Sequence, residues 1–149
     1  MSNPSTPQKF VAAASVTVKA SVNDIWALWV DVNGWTNWDE GLEKAEIRGH
    51  FKEGTSFSLT PQGAPESIDV CIKTVTQGEE FSDEAVLPFG TIRTYHRMER
   101  VGERVKLTHE VHADIDAEAS GFFEKEIWPH MQSGLPASVN NIVGIVQAH

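Results

Sequence analysis

With 149 residues, 40% of them hydrophobic and 22% charged, the chain is long enough for one domain with a real core and too apolar for a disordered one. Twelve Lys and Arg stand against 21 Asp and Glu, a net charge of −9. No basic run appears, so no nucleic acid and no anionic membrane is expected as a partner, because both require clustered cations.

Residues 1–8 are polar and rich in Pro, Ser and Thr. They lack the basic and apolar regions of a signal peptide and read as a flexible N-terminal tail. A single domain is expected over residues 9–149. No apolar run reaches the ~18 residues of a membrane span, so membrane insertion is not expected. Cys71 is the only cysteine. No internal disulfide can form, and the cytoplasm is the expected compartment. Self-association into a homodimer is left open.

The first strand is expected over 10–18, ending in the alternation Val16-Thr17-Val18. Ser21 then reads as a helix cap, with Asp24 three residues on. Val22, Ile25, Trp26 and Trp29 fall at helical spacing and form an apolar face. Asn33-Gly34 should end that helix, and 35–41 should be a loop or a second short helix. Strands follow at 44–48, 55–60, 68–75 and 81–87, separated by Gly- and Pro-containing turns. Residues 91–100 and 104–113 should form a hairpin turning about Val101-Gly102. Strands spaced this closely favour an antiparallel meander.

The period then changes. Phe122, Phe123, Ile127, Met131, Leu135, Val139, Ile142, Val143 and Val146 recur every three to four residues, as in one long amphipathic helix. Pro129 and Pro136 interrupt the pattern. A bent helix from about Ser120 is the expected outcome. The order of elements makes this an α+β domain in which one long helix covers the apolar face of a curved sheet.

Taken in order, several segments resemble one superfamily. Residues 18–26, ending Asn23-Asp24-Ile25-Trp26, are similar to its opening strand and short helix. Trp35-Thr36-Asn37-Trp38-Asp39-Glu40-Gly41 resembles its tryptophan loop. Gly49-His50-Phe51-Lys52-Glu53-Gly54 resembles its glycine-bounded turn, and residues 102–109 its late hairpin. The superfamily is the START/Bet v 1-like (SRPBCC) group, in its bacterial polyketide cyclase/dehydrase-like branch. The resemblance implies a helix-grip fold: a curved seven-stranded antiparallel sheet around a long C-terminal helix, with two short helices after the first strand. It also implies a cavity for a lipid- or polyketide-like molecule, but no shared catalytic set. Many relatives end the helix with a Leu-Lys pair and a late Glu; here stands Ile142-Val143-Gly144-Ile145-Val146.

Strand parity selects the residues that face the helix. Leu107 and His109 share a face, as do Thr94 and His96, while Asp83 shares one with Phe81. Each apolar face thus carries a polar group. Together with the helix stripe, parity predicts one cavity lined by Trp38, Phe57, Phe81, Asp83, Thr94, His96, Leu107, His109, Met131 and Leu135. Trp38 is expected at its rim. Counting back from the turn places Thr94 opposite His109, and the two histidines as diagonal neighbours ~7–8 Å apart. At least one should stay neutral and accept a hydrogen bond from a ligand hydroxyl.

Besides a partner-binding regulatory domain with a vestigial pocket, two functions are compatible with this pattern. One is binding of a small apolar molecule. The other is a cyclase- or dehydratase-type enzyme using Asp83, His96 and His109 as general acid and base. Each histidine could equally be a satisfied core residue. His109-Glu110-Val111-His112 does not make a metal site, because a spacing of three on a strand points the rings to opposite faces. No glycine-rich phosphate loop and no nucleophile elbow occurs. No cofactor is expected.

Overall fold

The computed structural model describes residues 6–147. Of the tail expected over 1–8, residues 1–5 lie outside the described residues. The first strand β1 (Gln8–Val18) starts two residues earlier than its apolar pattern suggested. Its pairing explains the extension: Gln8 and Lys9 continue the ladder against Ile115 and Asp114. Six further strands follow: β2 (Leu42–Ile47), β3 (Ser56–Pro61), β4 (Ile68–Thr76), β5 (Glu80–Leu87), β6 (Gly90–Val101) and β7 (Arg104–Ile115). They form one antiparallel sheet in the order β1-β7-β6-β5-β4-β3-β2. With the long helix across it, this is the helix-grip architecture.

Between β1 and β2 lie α1 (Val22–Val30) and a 3-10 helix, Val32–Asn37. Ser21 caps α1, its hydroxyl accepting the Asn23 N–H at 3.2 Å. Val22, Ile25 and Trp29 point into the core, while Trp26 is half-buried. The break comes at Asp31, earlier than Asn33-Gly34, and the chain tightens into 3-10 turns that bury Val32 and Trp35.

The C-terminal helix covers residues 117–147 in three segments: α2 (Ala117–Phe122), a π-helical turn (Phe123–Ile127) and α3 (Trp128–Gln147). It starts before Ser120. The π turn ends two residues before Pro129, whose missing N–H breaks the regular ladder to that turn. Its extra residue also rotates the preceding turn out of phase with the rest. Phe123 is therefore buried and Phe122 is 66% exposed, against the expectation that both face inward. Pro136 is held within α3.

The β6–β7 turn corrects the predicted hairpin. Val101 pairs with Arg104, so the two turn residues are Gly102 and Glu103. Gly102 has φ of +63° and Glu103 no positive φ, which matches a type II′ turn with glycine in first place. The register therefore moves by two. His96 lies directly opposite His109, and Thr94 opposite Val111. A shift of two leaves every side chain on its predicted face, because strand parity repeats every two residues.

The helix-facing side of the sheet carries two separate apolar clusters. The larger includes Ile25, Trp29, Trp35, Trp38, Phe57, Phe81, Leu107, Val139 and Ile142. The smaller gathers Val111, Ala113, Ile115, Phe123 and Trp128, with Phe10, Phe89, Ile92, Ile127, Met131 and Leu135 partly buried against it. Fully burying a large side chain contributes roughly 1.5–3 kcal/mol, so the larger cluster dominates stability.

Candidate functional site

The polar groups on the helix-facing side come from neighbouring strands. β5 supplies Asp83, β6 supplies Thr94 and His96, and β7 supplies His109. Asp83, His96 and His109 are all buried. His96 and His109 form a cross-strand pair with ring centroids 4.5 Å apart, closer than the diagonal arrangement expected from sequence. His96 stacks flat on Phe81 at 4.2 Å. Trp29, Trp35 and Trp38 stand around the two imidazoles at 5.5–6.2 Å.

His109 is satisfied at both nitrogens. The Trp29 indole N–H donates to Nε2 at 3.3 Å. An Nε2 that accepts leaves the single proton of a neutral ring on Nδ1, which donates to Ser138 Oγ at 2.8 Å. Ser138 donates in turn to the Leu135 carbonyl at 2.9 Å. Burial pushes the His109 imidazole down to about 3. Every hydrogen-bonding position is consistent with a neutral ring that ties α1, β7 and α3 together. His109 is thus the satisfied core histidine, one of the two roles its sequence position allowed.

His96 differs. Burial, and then the proximity of His109, hold it well below the usual histidine range. Yet its Nδ1 is buried without a partner, and so is the Trp38 indole Nε1. Asp83 accepts a hydrogen bond from the Thr94 hydroxyl. Desolvation raises its carboxyl to about 7, against the opposing effect of that bond. Asp83 is paired with Thr94, not with either histidine.

The ten predicted lining residues divide. Trp38, Phe57, Phe81, His96, Leu107 and His109 meet in or against the larger cluster. Met131 and Leu135 belong to the smaller one. The difference follows from the helix's course, because the N-terminal half of α3 packs with the C-terminal end of β7, Val111 to Ile115. Thr94 lies on β6 between His96 and Ile92 of the smaller cluster, and Asp83 beside it on β5 is flanked by Phe81 and Ala85 of the larger one. Trp38 is no rim residue: it is 2% exposed. Asn141 of α3 fixes its carbonyl at 3.1 Å. The rings in and around the larger cluster lie with centroids 4.2–6.4 Å apart. A depression of about 650 Å³ does exist, on the opposite face of the sheet. Its lining includes Ser15, Glu79, Glu80, Arg97, Lys106 and Glu110, charged and unsuited to an apolar guest. His112 also points outward, bonded to Glu110 at 2.6 Å.

Sequence reasoning missed Ser138. A signal was present, since Ser138 sits between Leu135 and Ile142 on the buried helix stripe, where a lone hydroxyl needs a partner. Sequence places Trp29 on the apolar face of α1 with Val22 and Ile25, but carries no sign that its indole donates to His109.

Among the described residues no group of three metal-ligating side chains converges, and no helix is long and apolar enough to cross a membrane. Residues 9–142 match the family model for polyketide cyclase / dehydrase and lipid transport. No curated protein matches the sequence. Among solved structures, norcoclaurine synthase from Thalictrum flavum is similar, with a TM-score of 0.74, 18% identity, and 99% of this chain and 91% of that one covered. The same enzyme has been solved with dopamine and hydroxybenzaldehyde. A START superfamily protein from Mycobacterium smegmatis gives a TM-score of 0.70 at 13% identity, covering 93% and 97%. The di-domain ARO/CYC StfQ of the steffimycin biosynthetic pathway gives 0.77 at 10% identity, covering 94% of this chain and 51% of that one. At these identities the likeness is one of fold.

Proposed function

This chain belongs to the polyketide cyclase/dehydrase and lipid transport family, and on that premise we propose that it binds a small, largely apolar molecule between the sheet and the C-terminal helix. One observation carries the reading. The helix-facing side of the sheet is divided into two apolar clusters, and a buried carboxyl, Asp83, bonded to the half-buried Thr94, stands at the border of the larger one. A core built only for stability gains nothing from a buried carboxyl, whose desolvation opposes folding. A binding surface uses a few polar groups within apolar walls to orient its guest.

From His96 through Thr94 to Ile92, one face of β6 runs about 13 Å at the usual strand rise. A molecule of that length would reach from the aromatic cluster to Met131 and Leu135, which are only half-buried. Neighbouring folds support the scale of the guest, since norcoclaurine synthase has been solved with dopamine and hydroxybenzaldehyde. Native mass spectrometry of the protein purified from its own host tests the reading through a small-molecule adduct lost on denaturation. A methyl NMR titration with p-xylene tests it directly: Thr94, Met131 and Leu135 should shift together. No response at these three methyl-bearing residues would remove the site.

A second reading, acid–base catalysis of the cyclase or dehydratase kind, is favoured by the Asp83 carboxyl, raised to about 7, where a group can both give and take a proton. Under that reading Asp83→Asn abolishes turnover while leaving affinity nearly intact. Under the binding reading it changes affinity alone.

A further inference from the structure

Two polar atoms in the larger cluster have no partner: Trp38 Nε1 and His96 Nδ1. Both residues are more than nine-tenths buried. Their rings meet edge-on, with centroids 6.2 Å apart and planes at 75°. Buried polar atoms are nearly always satisfied, and each exception calls for a cause. Leaving one unpaired costs about 1–3 kcal/mol. The protein offers no internal remedy, because the surrounding polar groups are already engaged. His109 is bonded to Trp29 and Ser138, Trp35 donates to the Trp29 carbonyl, and Asp83 accepts from Thr94.

We propose that the guest of this site carries a hydroxyl group whose oxygen lies between Trp38 Nε1 and His96 Nδ1. The inference rests on the reading of the site as one for a small apolar molecule. It adds the functional group that molecule bears and the two side chains that read it.

The chemistry of the two atoms selects the group. An indole N–H only donates. The imidazole is neutral in this setting, so Nδ1 is able to accept. A hydroxyl takes a hydrogen bond from the indole and gives one to the imidazole, so a single oxygen satisfies both. A carboxylate is disfavoured, because no cation stands near to offset a buried anion. A ketone would fit only if Nδ1 bore the proton. The apolar body would lie against Phe81 and the half-buried end of the helix. His109, with both nitrogens committed, takes no part, so the two neighbouring histidines have different work.

The test uses a matched pair of probes: p-cresol, and p-xylene, which has a methyl group in place of the hydroxyl. In NMR titrations of the wild-type protein, p-cresol is expected to bind about tenfold more tightly, equivalent to about 1.4 kcal/mol. The ¹⁵N–¹H resonance of the Trp38 indole should move downfield with p-cresol and not with p-xylene. In Trp38→Phe and in His96→Phe the preference should fall towards unity. The wild-type indole shift is read without any variant and stands even if one of them fails to fold. Equal affinity for the two probes would sink the hydroxyl assignment while leaving apolar binding intact. Binding of neither would remove both. A preference for p-cresol with an unmoved Trp38 resonance, or tighter binding of 4-methylcyclohexanone than of p-cresol, overturns the geometry proposed here. So does a crystal structure in which a water stays bonded to both atoms with p-cresol present elsewhere.

Discussion

Replacing Asp83 with Asn preserves side-chain shape and an oxygen for the Thr94 hydroxyl, yet removes the ionisation. In the folded protein desolvation pushes the carboxyl up to about 7; in the unfolded chain it titrates near the ordinary aspartate value of 3.8. Below pH ~4 both states hold the proton and Asp83 contributes no pH dependence. As pH rises, the unfolded chain loses its proton first. Folding stability therefore falls by about 1.4 kcal/mol per pH unit until the folded carboxyl also ionises near pH 7. The accumulated cost is on the order of 4 kcal/mol. Asp83→Asn should match the wild type near pH 4 and exceed it increasingly up to pH 7, with a constant difference beyond. Urea unfolding followed by tryptophan fluorescence at five or six pH values measures this. A difference between variant and wild type that does not change from pH 4 to pH 8 would show that Asp83 is not a buried neutral acid and would falsify the argument.

The two histidines act in the opposite sense. Both are depressed by burial, so the unfolded chain takes up protons that the folded one refuses. Stability should fall as pH drops below ~6.5, and His109→Gln should lower proton uptake on acid unfolding by about one, measured from the pH dependence of unfolding free energy. Ser138→Ala leaves the His109 Nδ1–H without its acceptor and should cost about 1–3 kcal/mol in a urea melt; an unchanged midpoint contradicts the assigned tautomer. Gly90 has φ of +156°, and a Cβ there would lie 2.3 Å from the Asp114 carbonyl oxygen. Gly90→Ala should therefore cost about 2 kcal/mol or more and lower the melting temperature visibly. Val86, 73% exposed on the outer face, serves as control: Val86→Thr should stay within about 0.5 kcal/mol of wild type.

Strand faces were legible because alternation survives small errors. The hairpin turn was misplaced, yet Leu107, His109, Thr94 and His96 all kept their predicted side, because the register error was two residues. Distances did not survive it: His96 and His109 became direct partners. The β4–β5 ladder shows the opposite limit. A bulge between Ile72 and Thr74 puts Val75 opposite Phe81, and nothing in the local sequence marks where parity changes. The helix stripe was readable from Met131 to Val146 but failed at Phe122, where the π turn altered the period. Partitioning of the site was hidden for a different reason. Which end of a long helix lies over which end of a strand depends on packing among distant elements, so Met131 and Leu135 could be assigned to the buried face but not to a cluster. Hydrogen-bond partners such as Trp29 for His109, 80 residues apart, lie beyond any pattern of spacing.

The pairing of β1 with β7 has a consequence for how the chain reaches this structure during synthesis. Ser15 and Thr108, facing each other across that ladder, are 93 residues apart in sequence. The first strand made therefore waits for the last, and its backbone donors and acceptors stay unpaired until the ribosome has released residues through Ile115. The meander from β2 to β6 assembles from local hairpins, whereas closure onto β1 is a long-loop event that slows folding. A nascent chain arrested before Arg104 would expose both β6 and β1 as unpaired edges, the kind of surface on which strands of different molecules join. Such arrested chains should depend on holding chaperones until β7 emerges, and should lose that dependence once it does.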